Sequence, residues 1–123
     1  MEISANQAAK LIIMNLDCYS EEKDKEYSRV RISKDTMYRI AKRERLREAF
    51  VNDLSDELYN LGWHLITHSD TEFAIIETER VSRWAKISSQ RISDFLDHPE
   101  EIDSEWDKFS ARCNHEDGNG NSA

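Results

Sequence analysis

The stretch that most constrains the fold runs from Leu46 to Leu61. Leu46, Phe50, Leu54, Leu58 and Leu61 recur at steps of four or three, with Ala49 in the gap. On a helix those positions share one face. Gly62 follows the last of them, where the left-handed residue that ends a helix is most often glycine. A core helix of about four turns is expected here, and the remaining elements must pack against it.

Around that helix the chain reads as mostly helical α+β. Three glycines and one proline in 123 residues leave too few tight turns for a sandwich or a barrel. From Ser4 to Asp17, Ala5, Ala8, Ala9, Ile12 and Leu16 form an apolar stripe behind Ser4 as N-cap. Cys18 to Glu26 is polar and charged, and reads as a loop. Tyr27 to Ile32 is a short strand candidate, with Val30 and Ile32 on one face and Arg29 and Arg31 on the other. Ser33 is placed to cap a second helix, with Asp35 in its first turn and Met37, Ile40 and Ala41 inward. The apolar phase from Ile40 into Leu46 permits one continuous helix over 34–61. The run Lys42-Arg43-Glu44-Arg45 offers no apolar residue, which favours two helices meeting at a turn.

Beyond Gly62, Trp63–His68 and Phe73–Thr78 read as a hairpin closed by Ser69-Asp70-Thr71-Glu72. A third strand is expected from Trp84 to Ile87. Ser88 or Ser89 then caps a short helix holding Ile92, Phe95 and Leu96. A last helix starts at Pro99 and carries Ile102, Trp106 and Phe109 as its apolar face. Residues 113–123 read as a disordered tail by composition.

Several chemistries find no support. Four histidines and two cysteines show no metal-ligand spacing, and no nucleophile–base pairing or glycine-rich phosphate loop can be read. A non-enzymatic protein without metal or cofactor is expected. The three tryptophans occupy apolar positions and are expected in the core; Trp84, between Arg83 and Lys86, is the one to test for stacking on bases. The longest apolar run, Leu11 to Met14, is too short for a bilayer, and no signal peptide is evident. With Cys18 and Cys113 far apart in the chain, a reduced, cytoplasmic protein with no membrane partner is the expectation.

Charge is the informative feature. The chain carries −8 overall, yet the segment Arg29–Arg47 holds eight basic residues against Asp35 and Glu44, a local +6. Arg80, Arg83, Lys86 and Arg91 add a local +4, which leaves −18 for everything else. Segregated charge of this kind is compatible with nucleic acid where uniform acidity would not be.

The order helix, short strand, helix, helix, two-stranded hairpin, from Ser4 to Thr78, resembles a winged helix-turn-helix domain. That resemblance implies a single winged-helix-like domain over 1–112 with a C-terminal helical extension. It also implies a DNA-binding regulator or accessory factor, with the third helix in the major groove and the hairpin tip as the wing. In this sequence Arg43, Arg45 and Arg47 stand at the start of the third helix, but its polar face then continues with Glu48, Asp53, Asp56 and Glu57. Asp70 and Glu72 occupy the wing tip. The expected contact surface is therefore the basic patch itself: Arg29, Arg31, Arg39, Lys42, Arg43, Arg45 and Arg47, with Arg83, Lys86 and Arg91 alongside. A rival reading rests on seven carboxylates between Asp94 and Asp107. Asp94, Asp97, Glu101 and Glu105 could bind a basic protein partner, imitate nucleic acid, or dock on a basic patch in a homodimer.

Overall fold

The computed structural model describes residues 2–117. The protein is α+β and 61% helical, and the chain divides into two compact units, Met1–Trp84 and Ala85–Ala123. The first unit contains, in order, α1 (Ala5–Lys23), β1 (Arg29–Ser33), α2 (Lys34–Ala41), α3 (Glu48–Asn60), β2 (Trp63–Thr67), β3 (Glu72–Glu77) and α4 (Thr78–Ser82). The second contains α5 (Ser93–Asp97) and α6 (Ile102–Asp117), each preceded by one 3-10 turn, Gln90–Ile92 and Pro99–Glu101.

The helix starts follow their caps. Ser4 and Gln7 close a reciprocal capping box ahead of α1. The Ser33 hydroxyl accepts from the Thr36 backbone N–H, with Asp35 in the first turn of α2. Chain length between the two central helices goes to a break: α2 ends at Ala41, and Lys42 takes a left-handed conformation with φ 53°. Two helices therefore replace the continuous alternative. Gly62 also adopts the expected left-handed conformation, φ 92°.

The core of this unit joins three helices to one face of the sheet. Ala8, Ala9, Ile12 and Leu16 of α1, Met37 and Ala41 of α2, and Phe50, Leu54 and Leu58 of α3 are buried with Phe73 and Ile75 of β3. The two alanines let α1 approach its neighbours closely. The sheet is antiparallel in the order β1-β3-β2, with Val30 and Leu65 flanking Ile75 and with Ile32 and Thr67 flanking Phe73. By strand alternation the opposite face carries the rows Arg29–Ile76–His64 and Arg31–Ala74–Ile66.

Four expectations need correction. The segment from Cys18 is helical as far as Lys23, because Ser20, Glu21, Glu22 and Lys23 extend α1 without meeting a breaker. Tyr19 packs on Tyr27 at 5.2 Å between centroids, and Asp24 ends the helix at φ 51°. The central helix begins at Glu48 with Arg47 as N-cap, so Leu46 lies ahead of it, and Ala49 and Leu61 are exposed. No strand forms from Trp84 to Ile87; the chain leaves β3 directly into α4, and the third strand of the sheet is β1. Finally, Cys113 to Asp117 continue α6, while residues 118–123 of the expected tail lie outside the described residues.

Candidate nucleic-acid interface

The connection from α2 to α3 is built by Lys42. Its left-handed turn returns backbone N–H groups to the end of α2, Lys42 to Arg39 and Arg43 to Tyr38, and swings residues 43–47 off the helix axis. Glu2, Lys42, Arg43, Glu44, Arg45 and Arg47 consequently surround one open cavity of about 370 Å³. Lys42, Arg45 and Arg47 are exposed there and have no ion-pair partner among the described residues. Arg39 is exposed in the last turn of α2.

Arg43 behaves differently from its neighbours. Its guanidinium lies 4.0 Å from the centroid of the Phe50 ring, and Nη2 donates to the Ile3 carbonyl at 3.1 Å. Nη1 reaches Glu2 Oε1 at 3.3 Å, and the side chain keeps only 21% exposure. The backbone N–H of Ile3 in turn donates to the Ala41 carbonyl at 3.1 Å. Arg43 thus ties the N-terminal segment and the end of α2 to α3. It presents little of its charge to solvent.

The other basic residues divide between paired and unpaired. Arg31 meets Glu72 across β1 and β3 at 3.4 Å, and Arg83 meets Glu79 along α4 at 3.0 Å. Arg29 has no ion-pair partner among the described residues; with Arg31 and Trp84 it lines a second cavity of about 980 Å³ beside β1. Trp84 is 58% exposed, the reverse of the core position expected for it. Lys86 and Arg91 are exposed and belong to the second unit.

No family model matches the chain, and neither does any curated protein or solved structure. The site must be judged on its own geometry.

That geometry limits what α3 can do. Its solvent face presents Glu48, Asn52, Asp53 and Asp56, so a duplex groove laid along the helix would set phosphates against carboxylates. The turn between β2 and β3 is held by its own hydrogen bonds, with the Thr71 N–H donating to Ser69 Oγ and the His68 and Ser69 N–H groups donating to the Glu72 carbonyl. It carries Asp70 and no Lys or Arg. Of the basic residues in the first unit, Lys42, Arg45 and Arg47 gather at the α2–α3 connection, while Arg29 lines the cavity beside β1. One phenol departs from its ordinary pKa: partial burial, and then Tyr19 beside it, push Tyr27 upward, which is the wrong direction for a reactive phenolate.

In the second unit the partner-binding candidates are all accessible or nearly so. Asp94, Asp97 and Glu101 are exposed without an ion-pair partner among the described residues, whereas Glu105 is half-buried and holds Lys108 at 3.1 Å. One grouping was not read from spacing: His98, Glu100 and Glu101 bring ligand atoms within 4.8 Å of one another on an exposed turn. His98 Nδ1 and Glu100 Oε2 lie 3.4 Å apart, an ordinary surface contact. Among the described residues no helix is long and apolar enough to cross a membrane.

Proposed function

We propose that this is a small winged-helix-like protein that binds DNA through phosphate contacts from the α2–α3 connection, as an accessory or regulatory factor. The carrying observation is the convergence of Lys42, Arg45 and Arg47 on one open cavity, with Arg39 one turn earlier. The element order α1, β1, α2, α3, β2, β3 supports the reading. The acidic face of α3 argues that affinity comes from the backbone of the duplex, with little direct reading of base edges.

Four neutralised phosphates per bound chain give a log–log salt slope of about −3.6, and removing two flattens it by about 1.8. Arg45→Ala with Arg47→Ala should do this and leave the far-ultraviolet circular dichroism unchanged, since both side chains stand outside the core. Fluorescence anisotropy with a labelled duplex, titrated at several salt concentrations, reads the slope. Absence of binding at low salt, or an unchanged slope in the double variant, rejects the assignment.

A second reading is favoured by the unpaired carboxylates Asp94, Asp97 and Glu101. In that reading the second unit binds a basic protein surface and the arginines only balance the chain's charge.

A further inference from the structure

β1 lies at the edge of the sheet, in the order β1-β3-β2, and only one of its sides is paired. Two bonds fix the alternation along it. The Glu77 N–H donates to the Ser28 carbonyl at 3.0 Å, and the Lys34 N–H donates to the Thr71 carbonyl at 2.8 Å. In this register Val30 and Ile32 exchange the bonds with β3, so the N–H and C=O groups of Arg29 and Arg31 point out of the sheet. Neither arginine makes another backbone hydrogen bond among the described residues. The cavity of about 980 Å³ runs along this edge, with Leu16 and Tyr19 of α1 on the core side of β1 and Ala74 and Ile66 on the other.

We infer that this edge takes up an extended peptide as a fourth strand, one with acidic side chains at alternate positions and apolar ones between. Strand addition draws its affinity from main-chain hydrogen bonds and its specificity from alternate side chains. Here the two faces of the edge differ in character. Guest residues level with Arg29 and Arg31 fall on the face where those guanidinium groups stand. Arg29 is exposed with no ion-pair partner among the described residues, and Arg31 remains 72% exposed beside Glu72. Carboxylates at those positions meet opposite charge directly across the strand pair, which stabilises a sheet. The guest residues between them point to the core side, where Leu16, Tyr19, Val30 and Ile32 offer apolar contact. A second copy of β1 is excluded by the same row. Two-fold pairing of the free edges sets arginine opposite arginine, and like charges directly opposite are destabilising. A duplex phosphate can accept from the guanidinium groups but has no donor for the Arg29 and Arg31 carbonyls. The edge uses none of Lys42, Arg45 and Arg47, so the inference stands independently of DNA binding at the α2–α3 connection.

The probe is a synthetic peptide of alternating valine and glutamate, capped at both ends and titrated into the full chain. Amide hydrogen exchange followed by NMR should slow at Arg29 and Arg31, whose N–H groups gain partners, and change little at Val30 and Ile32, already bonded to β3. N-methylation of one alternate set of peptide amides should abolish binding, and methylation of the other set should leave it. Only every second N–H of an added strand faces its neighbour. A peptide of alternating valine and lysine should bind more weakly by on the order of tenfold, as two partly exposed ion pairs allow. Arg29→Glu with Arg31→Glu should reverse that preference, and circular dichroism checks that the variant keeps its fold. The comparisons on wild type decide the matter even if it does not. No binding of the glutamate peptide at about millimolar concentration overturns the proposal and leaves the arginines as guards against self-pairing. Equal binding of the two peptides, or equal loss from both methylation patterns, also overturns it. So does protection of Arg29 and Arg31 by a duplex and not by the peptide, or by raising the protein concentration alone.

Discussion

Arg43→Ala is the sharpest test of how the first unit is held together, because sequence alone groups Arg43 with the arginines expected to contact DNA. Its guanidinium donates to the Ile3 carbonyl at 3.1 Å, and hydrogen bonds from a charged donor contribute roughly 1.5–3 kcal/mol. Stacking on the Phe50 ring at 4.0 Å adds about 0.5–2 kcal/mol in a partly desolvated site. The contact with Glu2 is worth about 0–1 kcal/mol, since that carboxylate is 67% exposed. These terms share one side chain and do not add fully, so a net loss of about 2–4 kcal/mol is expected. Against a total of about 5–15 kcal/mol for a typical domain, that is a large fraction.

Guanidinium chloride titration followed by circular dichroism measures the loss. Arg43→Lys keeps the charge but not the planar fork that reaches Ile3 while lying on Phe50, so it should recover only part of the stability. Arg45→Ala and Arg47→Ala, a few residues along, should change stability by no more than about 0.5 kcal/mol, as surface substitutions do. A loss below about 1 kcal/mol for Arg43→Ala would refute the packing role and return Arg43 to the set available for phosphates.

Leu54→Ala should destabilise by roughly 2–5 kcal/mol, since Leu54 is buried in the core that α3 shares with α1 and the sheet; a denaturant titration showing less than about 1 kcal/mol would mean α3 is not central. If the second unit binds a basic protein, neutralising Asp97, Glu101 and Glu105 to their amides should strip co-purifying partners in a host-lysate pull-down without altering the fold, and an unchanged set of partners would sink that reading.

Local signals made most of the first unit legible. Ser4 and Ser33 were readable as caps because a capping hydroxyl bonds within three residues of itself. Phe50, Leu54 and Leu58 were readable because their burial follows from helical phase alone. Failures came where the deciding contact lies far off in sequence or where a favoured residue type is missing. The Cys18–Lys23 extension of α1 has no apolar stripe to announce it. The ends of α1 and α2 fall on Asp24 and Lys42, both left-handed without the glycine that usually marks such a stop. Arg43 takes its role from Ile3 and Phe50, one of them forty positions away, so a charge run was all the sequence displayed. In α6 Ile102, Trp106 and Phe109 were readable as one apolar face, but their exposure was not, because an apolar face in sequence does not say what covers it.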